Sequence, residues 1–368
     1  MNLSRKIRLL VVDDSAVVRR MICDAVANDS EIEVVGTAPD PYIAREKILE
    51  LNPDVLTLDI EMPKMDGLTF LKILREHRPI PVIIISSLTQ AGSRIAMEAL
   101  EAGAVEVLAK PTSAYSVGNL SEQLAMRVKA AAMSGTRSFR SVGAFAASPA
   151  PVAVRTGGYH PRQLIVLGSS TGGTEALKQV LTQLPAGLPP IAIAQHIPAY
   201  FSRAFAERMN DICQFEVREA ADGDELHPGL ALVAPGDFHL SVVWTGQGYR
   251  AALNQKSPVH HCRPAVDVLF RSAAQCGGAR VVAGILTGMG SDGALGMQAL
   301  KAIGARTMAQ NEATCVVYGM PRAAVELGVV DQVLPLSQIA PAILEATNLM
   351  AGAREPSPAM KPAIASTT

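Results

Sequence analysis

Short apolar runs alternating with helical patterns constrain this chain more than any other feature. In residues 1–133 the runs are Ile7–Val12, Glu33–Thr37, Val55–Leu58, Pro81–Ser86 and Val105–Ala109. Four of them are apolar enough to be buried on both faces, as strands of a parallel sheet are when helices cover it. The stretches between them carry the helical period. In S-A-V-V-R-R-M-I-C-D-A-V, Val18, Met21, Ile22 and Ala25 share a face while Arg19, Arg20 and Asp24 turn outward. Five strands in this alternation predict a small doubly wound α/β domain. Strand-like runs resume at Leu164–Leu167, Ile191–Gln195 and Val281–Thr287, with a hairpin candidate H-L-S-V-V-W, T-G-Q-G, Y-R-A-A-L-N among them. They predict a second, larger doubly wound α/β domain carrying an antiparallel hairpin.

Between the halves, residues 134–160 are rich in Gly, Pro and small residues and have no sustained period, which predicts a flexible linker. The expected division is 1–133, a linker at 134–160, 161–350, and a disordered tail at 351–368 without a core-forming pattern. A length of 368 residues suits two cores. The net charge of −1 and the absence of a basic stripe argue against nucleic acid as the main partner. Cys23, Cys213, Cys262, Cys276 and Cys315 are scattered and form no CxxC pair, as expected of reduced thiols. The first apolar run is cut short by Asp13 and Asp14, and no run is long enough to span a bilayer. A soluble cytoplasmic protein without membrane insertion is expected.

Asp13 and Asp14 follow the first strand and Asp59 follows the third, in D-V-L-T-L-D-I-E-M-P. The carboxyl ends of strands in such a sheet face one crevice, so these carboxylates should converge. Converging carboxylates repel one another unless a hard cation sits among them, and Mg²⁺ is the natural choice. Glu61, two residues beyond Asp59, completes the candidate metal set of Asp13, Asp14, Asp59 and Glu61. Ser86 ends the fourth strand and Lys110 follows the fifth. Asp59 then reads as a nucleophile towards a phosphoryl group, its added charge balanced by Mg²⁺ and Lys110. These residues resemble the receiver domain of response regulators over about residues 1–130. The resemblance implies Asp59 as phosphoacceptor, Asp14 as a direct metal ligand with Asp13 nearby, and Ser86 and Lys110 on the phosphoryl oxygens. Val107 stands where many receivers carry an aromatic residue.

In the second half, L-I-V-L-G-S-S-T-G-G-T-E at 164–175 raises two possibilities. Gly168 and Gly173 have P-loop spacing, but Thr174-Glu175 replaces the required Lys-Ser/Thr. Gly168-Ser169-Ser170-Thr171-Gly172 instead satisfies G-x-S-x-G, which can present the central serine at a strand end. His196 follows the buried-type run I-A-I-A-Q. Asp292 lies within L-T-G-M-G-S-D-G, where Gly288, Gly290 and Gly293 also spell a dinucleotide fingerprint, with Glu312 about twenty residues on. A carboxylate inside that loop would face a pyrophosphate, whereas a Ser-His-Asp triad accounts for it. The order Ser170, His196, Asp292 differs from that of α/β-hydrolases. His260, His261 and Cys262 adjoin, but neighbouring side chains rarely converge on one metal ion.

G-S-S-T-G-G-T-E-A-L, A-Q-H-I-P, F-A-E-R-M-N, R-P-A-V-D-V-L-F, L-T-G-M-G-S-D-G and Y-G-M-P-R-A-A span 164–324 in order. Together they resemble the catalytic domain of the chemotaxis protein-glutamate methylesterase family, CheB. The resemblance implies Ser170 as nucleophile, His196 as base and Asp292 as its orienter, with Thr171 and the Met289 N–H as helpers around the oxyanion. It implies hydrolysis of glutamate methyl esters and deamidation of glutamines on methyl-accepting chemotaxis receptors, without a cofactor for the ester reaction. It also implies phosphorylation by the chemotaxis histidine kinase and a receiver that covers the esterase site until Asp59 is phosphorylated. The segment 260–262 departs from the more basic run expected before Arg263-Pro264 and bears on receptor contacts. Two other readings remain at this point: a nucleotide-binding output domain and a non-catalytic protein-binding one.

Overall fold

The structure, a computed structural model, describes residues 5–87, 89–110, 117–135 and 158–352. Most of the expected linker and almost all of the expected tail lie outside the described residues.

The first unit contains β1 (Ile7–Val12), α1 (Ala16–Val26), β2 (Ile32–Ala38), α2 (Pro41–Leu51), β3 (Val55–Asp59), α3 (Gly67–His77), β4 (Val82–Ser86), α4 (Gln90–Glu101), β5 (Glu106–Ala109) and α5 (Val117–Ser134). The strands form one parallel sheet in the order β2-β1-β3-β4-β5. Every residue of β3 and β4 is buried, as helices on both faces require. Four helices start on side-chain caps: Ser15 for α1, Asp40 for α2, Asp66 for α3 and Thr89 for α4 accept N–H bonds from the first turn. Asp40 precedes a proline at the first helical position, and Asn52 ends the same helix in the left-handed region.

The second unit opens with β6 (Leu164–Ser169), α6 (Gly173–Leu181), β7 (Ile191–Gln195) and α7 (Phe201–Ile212). Five short or hairpin strands follow, β8 (Glu216–Glu219), β9 (Glu225–Leu226), β10 (Leu230–Val233), β11 (His239–Trp244) and β12 (Tyr249–Asn254). The chain then forms α8 (Val266–Gly277), β13 (Val281–Ile285), α9 (Ala294–Ala302), β14 (Arg306–Gln310), α10 (Met320–Glu326), β15 (Gln332–Leu334) and α11 (Leu336–Gly352). Seven strands build a parallel sheet ordered β15-β14-β13-β6-β7-β10-β8, while β11, β12 and β9 form an antiparallel one. The expected hairpin is present, its strands joined at 245–248. The sequence pattern did not anticipate β8, β9, β10, β14 and β15.

Strand order decides where chemistry can sit. The chain leaves β6 towards β7 on one side and later places β13 on the other. That reversal opens a crevice at the carboxyl ends of β6, β7 and β13. Among the described residues, no helix is long and apolar enough to cross a membrane, and all five cysteines are free.

Candidate active site

Ser170, His196 and Asp292 follow the carboxyl ends of β6, β7 and β13 and meet in this crevice, each no more than 4% exposed. His196 Nε2 lies 2.7 Å from Asp292 Oδ2. The same oxygen accepts the Val266 N–H at 2.6 Å, and Oδ1 accepts the Asp267 N–H at 2.9 Å. The start of α8 thus fixes the carboxylate with two of its unpaired N–H groups. Burial alone would raise the Asp292 carboxyl, but His196 and these donors outweigh it and hold it below its ordinary range. With Nε2 turned to Asp292, the ring's second nitrogen, Nδ1, is the one free to act as base.

Backbone contacts shape the Ser170 turn. The Ser170 N–H donates to the Thr287 carbonyl at 3.0 Å, and the Gly173 N–H donates to the Ser170 carbonyl at 2.7 Å. Gly288 must be glycine here: a β-carbon would lie 2.3 Å from Met320 Sδ and 2.7 Å from Ser170 Cβ. This close approach brings the turn bearing Met289 alongside the serine. Ser169 has a different role. Its hydroxyl is fully buried and donates to Gln195 Oε1 at 2.5 Å, while Gln195 Nε2 donates to the Ser170 carbonyl at 2.9 Å. Ser169 locks the loop to β7.

In the first unit, Asp13 and Asp59 are buried and Asp14 is exposed. A carboxylate oxygen of each can share one metal-sized cluster. Lys110 Nζ lies 2.7 Å from Asp59 Oδ2 and 3.3 Å from Asp13 Oδ2. Burial and the neighbouring Asp13 charge raise the Asp59 carboxyl to about 6 against the pull of Lys110. Glu61 stands apart from the cluster: its backbone N–H donates to Asp59 Oδ1 at 3.2 Å, and its side chain accepts from Ser87 Oγ at 3.4 Å. Ser86 Oγ and Thr57 Oγ1 are buried without hydrogen-bond partners among the described residues. An oxygen-rich cluster with one lysine and unsatisfied hydroxyls fits a divalent cation and an incoming phosphoryl group. Val107 is buried on β5.

Comparison with known proteins gives the family of both units. A family model described as "CheB methylesterase" matches residues 165–343, and one described as "Response regulator receiver domain" matches 9–119. A Syntrophus aciditrophicus protein named "Protein-glutamate methylesterase/protein-glutamine glutaminase 2" is 50% identical over 340 residues, covering 92% of this chain and 98% of its own length. The chain belongs to the CheB methylesterase family. A Pseudomonas aeruginosa relative of the same printed name is 49% identical, with 92% of this chain and 96% of its own covered. The solved catalytic domain of Thermotoga maritima CheB methylesterase is 37% identical, covering 52% of this chain and 99% of its own, at a TM-score of 0.49.

One residue that joins the two units of this CheB chain escaped the sequence reading. Arg127 of α5 reaches into the esterase crevice, where its Nη1 donates to Ser170 Oγ and Thr171 Oγ1, both at 2.9 Å. Nη1 also donates to Glu106 Oε2 at 2.7 Å, so β5 holds the guanidinium that holds the serine. A signal was available. Leu124, Val128 and Ala131 are the buried face of α5, and Arg127 falls on it by helical spacing. A charge on an apolar face points to a buried partner.

Proposed function

We propose that Ser170, His196 and Asp292 are the catalytic triad of a receiver-regulated protein-glutamate methylesterase/glutaminase, with 1–133 as receiver and 161–350 as esterase domain. The observation that carries this reading is the His196–Asp292 bond of 2.7 Å, with Asp292 fixed by two backbone donors beside the serine turn. Ser170 Oγ attacks the γ-carbonyl of a methylated receptor glutamate while His196 Nδ1 takes its proton. The proton passes to the departing methoxide, and methanol leaves. A water, deprotonated by the same imidazole, then attacks the acyl-serine ester, releasing glutamate and restoring Ser170. A glutamine substrate enters the same acyl intermediate and loses ammonia. Thr171 and the Met289 N–H serve the oxyanion.

In the receiver, Asp13, Asp14 and Asp59 would hold Mg²⁺, with Glu61 as an outer carboxylate. A cation held there would supply charge neutralisation for a phosphoryl group in transit. Asp59 receives that group from the chemotaxis histidine kinase, and Ser86 and Lys110 take its oxygens. Arg127 bonded to Ser170 Oγ supports reading this arrangement as a closed form. Phosphorylation moves α5 out of the crevice. The enzyme works in the cytoplasm on receptor helices, and neither nucleic acid nor membrane insertion enters the cycle.

Methanol release from methylated receptors tests the reading. Ser170→Ala should lower it by ~10³-fold or more, and Ser169→Ala only mildly. Asp59→Ala should abolish stimulation by acetyl phosphate. Undiminished release by Ser170→Ala overturns the triad.

A further inference from the structure

Asp292 sits on a stretch of backbone that does not fix its own shape. Gly290 and Gly293 flank it with φ of 87° and 88°, and α9 starts after Gly293 without a side-chain cap. Glycine adopts many backbone states at little cost, so such a loop keeps one shape only where something outside braces it.

The brace comes from α8. Asp267 lies in the first turn of that helix and is 1% exposed. Its Oδ1 accepts the Gly296 N–H at 2.6 Å, and Gly296 is in the first turn of α9, just beyond Asp292. In the other direction Asp292 accepts the Val266 and Asp267 N–H groups. The two helices therefore cap each other: the carboxylate before α9 closes open N–H groups of α8, and a carboxylate of α8 closes one of α9. Each negative charge also sits at a positive helix end. Gly296 lets the helices come this close, since a β-carbon there would stand 2.6 Å from Phe270 Cβ and 3.1 Å from the Asp267 carbonyl oxygen. On the outer side, Asp267 Oδ2 faces His260 Nε2 at 3.1 Å and Arg271 Nη2 at 3.9 Å. Aspartate is rarely buried this fully unless it is paired, and here both oxygens have partners.

We propose that Asp267 is a positioning residue for the triad: by holding the first turn of α9 it sets where Asp292 stands, and through Asp292 how the His196 ring is turned. This role rests on the triad reading above. What it requires is an acceptor oxygen at that place rather than a charge, because the Gly296 N–H takes one oxygen. Without that bond the glycine-flanked loop loses its brace, and Asp292 drifts from the 2.7 Å contact that fixes the imidazole. A misplacement of about 1 Å in a reacting group costs about 10²-fold in rate. Substrate binding should be spared, since the brace acts behind the triad.

Two measurements on the full chain test this. In the methanol assay with acetyl phosphate, Asp267→Ala should lower kcat by about 10–100-fold with KM unchanged. Asp267→Asn, which keeps the oxygen, should restore most of that loss. Proton NMR with isotopically labelled histidine reads the same brace without needing esterase activity. The proton between His196 Nε2 and Asp292 should appear far downfield and be absent from His196→Gln. It should persist in Asp267→Asn and weaken or vanish in Asp267→Ala. If Asp267→Ala fails to fold, Asp267→Leu, similar in bulk but without an acceptor, carries the same expectations. An undisturbed downfield proton in Asp267→Ala overturns the proposal. A loss confined to KM, or one that Asp267→Asn leaves unrepaired, does so too. Failure of the triad itself would register separately, as activity retained by Ser170→Ala.

Discussion

The receiver pocket and the esterase crevice both lie at the carboxyl ends of parallel strands, and both are built around buried aspartates, yet their hydrogen bonding is opposite. Asp292 is saturated: one histidine and two backbone N–H groups take its lone pairs. The pocket around Asp59 holds two carboxylates on one lysine, with Ser86 and Thr57 hydroxyls left unbonded. The first arrangement is finished before substrate arrives, as preorganised catalysis requires. The second has unsatisfied groups of the kind that a cation and a phosphoryl group would complete.

The largest effect should come from breaking the saturated site. Asp292→Asn leaves the shape but removes the charge that selects the His196 tautomer, and methanol release should fall by ~10³–10⁴-fold. A loss of only a fewfold would show that hydrogen-bond saturation at this aspartate is dispensable. A smaller effect, of opposite sign, should come from the link between the regions. Arg127→Met combined with Glu106→Gln removes the guanidinium without stranding its carboxylate. Unstimulated release should rise by about tenfold, within the usual range of intersite coupling, and stimulation by acetyl phosphate should shrink. Unchanged unstimulated release would sever the two regions functionally.

A third effect acts on stability rather than on turnover. Asp59 titrates at about 6 rather than at its ordinary 3.8, so the native receiver binds that proton more tightly than the unfolded chain does. The resulting stability is fully present below pH 3.8 and lost as pH rises through about 6. Asp59→Asn should therefore be more stable than the native chain at neutral pH, by about 1–3 kcal/mol, with the gap closing on acidification. Denaturant unfolding at several pH values without Mg²⁺ measures this. A variant less stable at neutral pH would show that the Lys110 pair outweighs burial.

Strand-end chemistry was the most legible part of the chain. Apolar runs located β1, β3, β4, β6, β7 and β13, and the polar residue after each supplied the candidates for both pockets. The two- and three-residue strands β9 and β15 were not legible, because they are too short to display a period. Arg127 lies 43 residues from Ser170 in the chain, and their meeting depends on how α5 docks, which no local pattern encodes. The glycine fingerprint at 288–293 had the opposite fault, a strong pattern with a different cause: Gly288 is there so that Ser170 can approach.

Arg127 also sets how easily the enzyme can be switched. Its Nε, buried in the closed chain, has no hydrogen-bond partner among the described residues, and an unmet buried donor costs about 1–3 kcal/mol. Opening returns that N–H to water, so the closed form carries its own bias towards release. Inverting a population from 1:99 to 99:1 takes about 5.5 kcal/mol. A latch that is already partly unsatisfied brings this closer to the reach of one phosphoryl group.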